Sequence, residues 1–213
     1  MLVVASDHPP ASENNEMGRS CERIAAAVAQ HLALAVANLK LRDTLKEQSI
    51  RDPLTGAFNR RHFEIIAQKE TAQSIRYDRP FAILMIDIDH FKKYNDLHGH
   101  SSGDRALFLF ADHIRRHTRT ADWLFRMGGE EFLLLLREAE PEAAERKARH
   151  LLEGVAKMQI DLNGQILPSI TASIGMAMFH GQGNSIEQTL SLADQALYKA
   201  KAGGRNMVVY AKV

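Results

Sequence analysis

The sequence predicts an α+β fold with a central, mostly antiparallel sheet and flanking helices, preceded by a long N-terminal helix. Residues Phe81–Ile88 form a run that is apolar on both faces, which is typical of a central strand. Two further strand patterns meet at Gly128 and Gly129, which predicts a hairpin with a type I′ turn. The order of strand, helices, two strands, helix, strand, helix and strand contains the β-α-β-β-α-β pattern of ferredoxin-like folds.

The other elements follow from periodicity and from residues that end helices and strands. Pro141 opens a predicted helix, because proline is tolerated in the first helical turn. Asn163 and Gly164 predict a second, smaller hairpin, and Gly203 ends the last predicted helix. Together, the predicted helices of this region cover 60–76, 91–97, 103–118, 141–157 and 185–203. Besides the central strand and the small hairpin, the predicted strands cover 122–127, 130–136, 170–179 and 205–212.

The composition indicates a globular protein and excludes several classes of function. The 213 residues are 45% hydrophobic and 25% charged, with a formal net charge of +1. Such a charge points to neither a nucleic acid nor an anionic membrane as partner. No apolar run approaches the roughly 18 to 20 residues that span a bilayer. Cys21 is the single cysteine, so no intramolecular disulfide can form, and we expect a cytoplasmic protein.

The first 50 residues predict a short remnant and a long helix. Residues 1–19 contain a brief apolar strand and a polar loop without the basic region of a signal peptide, as at the end of an upstream domain. Residues 20–50 lack Gly and Pro, and Ser20 is a candidate N-cap. This helix is interpreted either as a coiled coil or as an amphipathic helix packed on its own upstream domain. Pro53 and Gly56 end it, so the main domain is predicted to be 51–213. The heptad core positions are Ile24, Ala27, His31, Leu34, Asn38, Leu41, Leu45 and Gln48.

Two acidic clusters are the candidate catalytic centre. Asp87 and Asp89 follow the apolar strand and share a face, while Glu130 and Glu131 follow the hairpin glycines. Either cluster alone is consistent with solvated charges at a strand end. If the hairpin pairs beside the strand, Asp87 and Glu130 converge, and two carboxylates about 4 Å apart repel by about 4 kcal/mol at an effective dielectric of 20. A divalent cation reverses that repulsion, and hard oxygen ligands suit Mg²⁺.

Basic and polar side chains in other segments are candidate substrate contacts. Gly128 and Gly129 lack side chains, so a polyphosphate could approach the backbone amides of the turn. Cations in three loops could pair with phosphates, although surface charges and a helix dipole explain them equally well. Amide and carboxylate groups after the central strand could contact a purine, or could be ordinary helix caps. The cations are Lys92, Lys201 and Arg205, and the purine candidates are Asn95, His100 and Asp104.

These segments together resemble the GGDEF family of diguanylate cyclases over residues 51–213. The motifs are "DPLTGAFNRR", "IDIDHFKKYNDLHGHSSGD", "RMGGEEF", "ITASIGMA" and "ADQALYKAKAGGRN", in the family's order and spacing. The resemblance implies a palm-type nucleotidyl cyclase core that joins two GTP molecules into cyclic di-GMP and releases two pyrophosphates. Glu130 stands where the family name has Asp, and we expect activity to survive because the carboxylate is kept.

The resemblance also implies roles for the candidate residues. Asp87, the Ile88 carbonyl and Glu130 would hold two Mg²⁺ ions, with Mn²⁺ as an alternative, and Glu131 lies in the same acidic site. Glu130 or Glu131 would accept the proton. The guanine would contact Asn95, Asp104 and the position of His100, and the phosphates would contact Lys92, Lys201 and Arg205. Because one subunit holds one GTP, a homodimer is expected.

Upstream of the hairpin, Arg119 and Asp122 resemble the family's inhibitory product site, which implies inhibition by cyclic di-GMP. By itself the pair is equally a surface ion pair of little energetic weight. Arg146 or Arg149 is a candidate second arginine at that site.

Other functions remain open on the sequence alone. The N-terminal segment resembles the end of a GAF-type sensor domain, which implies regulation by a signal. The alternatives to an enzyme are a non-catalytic cyclic di-GMP receptor and a dimerising signalling module. Neither alternative accounts for the acidic clusters.

Overall fold

The computed structural model describes residues 28–38, 40, 50–181 and 185–211. The chain divides into two compact units, Met1–Ser49 and Ile50–Val213. In the first unit, residues 28–38 and 40 are helical and their side chains are exposed, including those of His31, Leu34 and Asn38. The predicted strand at 1–19, Ser20 and the other heptad positions lie outside the described residues. The coiled coil therefore stays a prediction.

The second unit contains five helices and eight strands within its described residues. The helices are α1 (Arg60–Tyr77), α2 (Phe91–His98), α3 (His100–Arg116), α4 (Pro141–Ala156) and α5 (Ile186–Ala202). The strands are β1 (Phe58–Asn59), β2 (Phe81–Ile88), β3 (Trp123–Gly128), β4 (Glu131–Arg137), β5 (Ile160–Leu162), β6 (Gln165–Leu167), β7 (Ala172–Phe179) and β8 (Val208–Tyr210). No helix in the described part of the chain has the length and hydropathy to cross a bilayer.

The main sheet has six strands in the order β1-β3-β4-β2-β7-β8. The pairs β3–β4, β4–β2 and β2–β7 are antiparallel, while β1–β3 and β7–β8 are parallel. In the β-α-β-β-α-β unit formed by β2, β3, β4 and β7, the first strand lies between the third and the fourth. The predicted mostly antiparallel α+β fold is therefore confirmed.

Strand β2 lies inside the sheet, between β4 and β7, and every one of its residues is buried. Its even-numbered side chains pack with α3 and α4, and its odd-numbered side chains from Phe81 to Met85 pack with α1 and α5. Alternation along a strand sends neighbours to opposite faces, so a strand covered on both faces is apolar throughout. The apolar run ends at Asp87, and the polar end of β2 therefore marks one edge of the double-sided core.

Local signals explain where several elements begin and turn. Pro141 stands in the first turn of α4, as predicted. Ser185 and Gln188 form a capping box at the start of α5, in which each side chain accepts from the other residue's backbone N–H. Asn163 and Gly164 have φ values of +54° and +86°, as a type I′ turn requires, which confirms the small β5–β6 hairpin.

Candidate active site

The β3–β4 hairpin turns one residue later than the sequence predicts. Gly128 pairs with Glu131 in the last register position, so the two turn residues are Gly129 and Glu130 rather than two glycines. Among the turn residues only Gly129 has a positive φ, +51°, which fits a type II′ turn instead of type I′. A register shift between Arg126 and Gly128 causes the offset. Glu130 consequently lies at the tip of the turn, and the strand predicted at 130–136 begins at Glu131 instead.

Arg126 fixes the hairpin turn, and sequence reasoning missed it. Its Nε and Nη2 atoms donate to the Gly129 carbonyl oxygen at 3.0 and 2.8 Å, and Nη1 lies 2.9 Å from Asp52 Oδ1. The same Asp52 oxygen accepts from the hydroxyl and the backbone N–H of Thr55, at 2.6 and 2.8 Å. Burial raises the pKa of Asp52, but these Thr55 and Arg126 hydrogen bonds and the Arg126 charge outweigh it, so the pKa is lowered overall. The turn is therefore tied to the segment that precedes β1.

Asp87 is the buried carboxylate of the site. It lies near the end of β2, opposite Glu131 of β4 and Ser173 of β7, and is 7% exposed. Lys201 Nζ, from the last turn of α5, lies 2.8 Å from Asp87 Oδ2. Burial raises the pKa of Asp87, Lys201 opposes this effect, and the charges of Glu130 and Asp89 add to it. The net direction of the pKa is upward, because burial outweighs the opposing effect of Lys201.

The backbone brings Glu130 to the end of the same strand. The Ile88 N–H donates to the Glu130 carbonyl oxygen at 3.4 Å, so the turn lies against the last residue of β2. The hairpin thus pairs beside β2 with Glu131 directly opposite Asp87, and the convergence of the Asp87 and Glu130 side chains stays a prediction. A Cβ atom added at Gly128 or Gly129 would meet no other atom within 4 Å, so space is open beside the turn.

Asp89 has a different environment from Asp87. Its Oδ1 accepts from the Ser173 hydroxyl at 2.7 Å, and its Oδ2 accepts from the Thr171 hydroxyl at 2.8 Å and from the Asn206 N–H at 3.1 Å. These three hydrogen bonds connect Asp89, at the end of β2, to β7 and to the loop after α5. Both carboxylate oxygens therefore already accept from neutral donors. The adjacent Arg205 is exposed, with a φ of +66°.

The candidate purine contacts lie on α2 and α3, which follow β2 in the chain. Asn95 is half-buried on α2, and its Oδ1 atom is buried without a hydrogen-bond partner among the described residues. Gly103 of α3 makes room for this amide, because a Cβ there would lie 1.8 Å from Asn95 Oδ1. Asp104 and His100 are exposed on α3, and Lys92 is exposed on α2. Asn95 is therefore packed against Gly103, whereas Lys92, His100 and Asp104 lie at the surface.

Arg119 and Asp122 do not form the side-chain ion pair that was one sequence interpretation. Asp122 Oδ2 accepts from the Arg119 backbone N–H at 2.9 Å, and Oδ1 accepts from the Arg137 backbone N–H at 3.3 Å. The two residues line a cavity of about 170 Å³ together with Lys147. Arg149 lines a different cavity and lies 2.6 Å from Glu145. Besides Arg119, the cations that line this cavity are Arg137 and Lys147, and the role of Arg146 or Arg149 stays a prediction.

The residues at the end of β2 fit a magnesium ion that also uses substrate oxygens. Within the described parts of the second unit and residues 28–38 and 40, no three His, Cys, Asp or Glu side chains lie close enough to hold a metal. Asp87 is nevertheless close enough to Glu130 for the Glu130 charge to raise its pKa, after the larger effect of burial. Mg²⁺ usually binds one or two carboxylates and completes its shell with water and phosphate oxygens. The donor set matches that type of site.

Comparison with known proteins agrees with this geometry. The family model described as "Diguanylate cyclase, GGDEF domain" matches residues 49–207. Diguanylate cyclase DgcM of Escherichia coli is 40% identical over 173 residues, which are 81% of this chain and 41% of that protein. Diguanylate cyclase DosC of Escherichia coli is 38% identical over 158 residues, which are 74% of this chain and 34% of that protein. The chain thus spans less than half the length of these curated relatives.

Two solved structures share the fold. The coiled coil and GGDEF domain of DgcB from Caulobacter crescentus, in complex with c-di-GMP, has a TM-score of 0.82 and 26% identity, and the match covers 88% of this chain and 99% of that one. Diguanylate cyclase SiaD from Pseudomonas aeruginosa, in complex with its activator SiaC, has a TM-score of 0.74 and 35% identity, with 94% of this chain and 75% of that one covered.

Proposed function

Because this chain belongs to the GGDEF family, we propose that it is a diguanylate cyclase, which condenses two GTP molecules into cyclic di-GMP and releases two pyrophosphates. The observation that carries the proposal is the position of buried Asp87 between the Glu130 turn and Lys201. A buried carboxylate at a strand end, beside a second carboxylate and a cation, suits a metal–triphosphate substrate. The space beside the exposed glycines of the turn would admit the triphosphate.

The acidic residues would hold the metal and accept the proton. Asp87, the Ile88 carbonyl and Glu130 would bind two Mg²⁺ ions, or Mn²⁺ in their place, and Glu131 extends the same acidic edge. Magnesium, when bound, neutralises phosphate charge and lowers the pKa of the attacking 3′-hydroxyl. Glu130 at the tip of the turn is the first candidate for the proton acceptor, and the adjacent Glu131 is the second.

The other residues would bind and orient the nucleotide. Backbone amides of the exposed residues Gly128 and Gly129 would donate to the phosphates, and Lys92, Lys201 and Arg205 would add positive charge. Holding the α-phosphate in line with the hydroxyl is the main contribution available to the protein in this type of reaction. For the base, Asn95 is the strongest candidate, since its buried amide oxygen has no partner among the described residues. Asp104 and His100 would complete the guanine contacts from α3.

The reaction requires two half-sites, so we propose that the chain acts as a homodimer. Each 3′-hydroxyl attacks the other nucleotide's α-phosphate, and one chain supplies one set of nucleotide contacts. The helical residues 28–38, with exposed Val28, Leu32, Leu34 and Val36, are candidates for the dimer contact. Regulation by a signal would then act through the N-terminal region that positions the two domains.

The cavity at Arg119 and Asp122 supports product inhibition. Arg119 and Lys147 would contact phosphates, while Asp122, held by two backbone N–H groups, keeps the cavity wall in place. We expect Arg119→Ala to abolish inhibition by cyclic di-GMP and to leave the initial rate unchanged. Inhibition as strong as in the wild type would contradict this assignment. The same cavity favours the second candidate function, a receptor that binds cyclic di-GMP without turnover.

Incubation with GTP and Mg²⁺, followed by detection of cyclic di-GMP, distinguishes the two functions. We expect product from the wild type and at least about 100-fold less from Glu130→Gln. Glu64→Gln is a matched control, because Glu64 is an exposed glutamate of α1 that lines none of the cavities described above. Binding of cyclic di-GMP with no GTP turnover would favour the receptor.

A further inference from the structure

Lys201 and Asp87 form an ion pair whose partners both belong to the proposed active site. The Lys201 ammonium lies 2.8 Å from Asp87 Oδ2, and the side chains are 34% and 10% exposed, respectively. Asp87 lies on the sheet face that α5 covers, two residues beyond buried Met85. The contact therefore joins the end of the central strand to the last turn of a packed helix, and it is shielded from water on the side of Asp87.

The position of Lys201 is set by the backbone of α5. A Cβ at Gly175 of β7 would lie 2.1 Å from both the Ala193 oxygen and the Leu197 nitrogen, so the helix backbone rests directly on the strand. After the helix, the Arg205 N–H donates to the Ala200 oxygen at 3.0 Å. These contacts hold the backbone of α5 in place, so that the Lys201 side chain can change its position while the Lys201 Cα stays close to Asp87.

An ammonium at Asp87 Oδ2 and a divalent cation on the same carboxylate compete for its negative charge. Their like charges repel strongly at ion-pair distance in a partly buried site. We propose that Lys201 is the resident counter-ion of Asp87, and that an entering divalent cation displaces it so that Lys201 becomes available to a phosphate of the nucleotide. This inference rests on the proposed function, because it takes Asp87 as a metal ligand and a nucleotide triphosphate as substrate.

The exchange couples the two ligands. Metal binding frees a cation for the triphosphate, and the triphosphate gives the displaced ammonium a new partner. Coupling of binding free energies is reciprocal, so each ligand raises the affinity for the other by the same factor. Without nucleotide, Lys201 competes with the metal and weakens its binding. Removal of the Lys201 charge should therefore strengthen metal binding by the protein alone, which is opposite to the effect expected if Lys201 only contacts phosphate.

The test is calorimetric titration of the full chain with Mn²⁺ alone, without nucleotide, at pH 8. We expect Lys201→Met to bind Mn²⁺ about tenfold more tightly than the wild type. Lys199→Met, the same substitution at an exposed lysine of the same helix, should bind as the wild type does. Equal or weaker Mn²⁺ binding by Lys201→Met would overturn the proposal.

Asp87→Asn separates this proposal from the proposed function. If Asp87→Asn loses Mn²⁺ binding while Lys201→Met equals the wild type, the metal site stands and the exchange alone is overturned. If Asp87→Asn binds Mn²⁺ like the wild type, both are overturned.

A measurement on the unaltered protein covers the case in which Lys201→Met fails to fold. The ¹⁵N resonance of the Lys201 ammonium, assigned by its loss in Lys201→Arg, should shift when Mg²⁺ is added. No shift at saturating Mg²⁺ would overturn the exchange.

Discussion

Replacement of Arg126 by methionine tests whether the hairpin turn is held from outside the hairpin. The substitution keeps an unbranched side chain and removes the contacts to Asp52 Oδ1, at 2.9 Å, and to the Gly129 oxygen, at 3.0 and 2.8 Å. The Arg126 and Asp52 side chains are 14% and 19% exposed. Exposed ion pairs contribute about 0–1 kcal/mol, and breaking a fully buried pair costs about 3–5 kcal/mol. At this exposure we expect Arg126→Met to lower the free energy of unfolding by about 2–3 kcal/mol.

Urea unfolding, followed by far-UV circular dichroism, measures this loss. Arg116→Met is the control, because Arg116 also lies 2.8 Å from an aspartate, Asp112, but its side chain is 75% exposed. That variant should lose less than about 0.5 kcal/mol. A double-mutant cycle with Asp52→Asn should give a coupling energy above about 1 kcal/mol between Arg126 and Asp52.

The same variant tests the function of the turn. Because Gly129 precedes Glu130, release of its carbonyl should displace the proposed proton acceptor, and we expect the turnover rate to fall about tenfold or more. If Arg126→Met unfolds at the same urea concentration as Arg116→Met and turns over GTP at the wild-type rate, Arg126 does not position the turn.

Three further predictions concern other close contacts. Gly175→Ala should lower the free energy of unfolding by about 3 kcal/mol or more, measured by urea unfolding, because the added Cβ meets the α5 backbone. Gly103→Ala should displace the Asn95 amide and weaken binding of a non-hydrolysable GTP analogue about tenfold by calorimetry, whereas Ser101→Ala, at an exposed position of the same helix, should not. Burial, with smaller contributions from neighbouring imidazoles, lowers the pKa of His113 below 6.5, so stability should be full above pH 6.5 and decline as the pH falls below it. In His113→Gln the urea midpoint should fall less between pH 7.5 and 5.5, and equal declines would contradict the prediction. The groups that act on His113 include His117, His150 and Asp112.

Much of the fold follows from local patterns. The strand at Phe81–Ile88, the helix opened by Pro141 and the hairpin at Asn163 and Gly164 were predicted from apolar periodicity and turn residues, and all three are present. Strand β1 was missed, because two residues are too few to show a period. The main hairpin turn was misplaced by one residue, because the register shift before Gly128 depends on how β3 pairs with β4.

The candidate site was also predicted only in part from the sequence. Its acidic residues, glycines and cations were identified from residue type and motif resemblance, while their roles stay predictions. The Arg126–Asp52 contact was missed because its partners are 74 residues apart and neither belongs to a periodic pattern. Lys147 was missed because only the packing of α4 beside β4 brings it to the cavity that Arg119 lines.

The sequence by itself determined which strand is central and which carboxylates end it, since apolar alternation and its interruption are properties of neighbouring residues. Only the tertiary structure decided which charges meet. It brings Lys201 of the last helix to Asp87 and the Arg126 guanidinium to Asp52, and it leaves Asp89 saturated by hydroxyl and backbone donors. Such pairings depend on how closely a helix approaches a strand and on strand register, and both are set by packing over the whole domain.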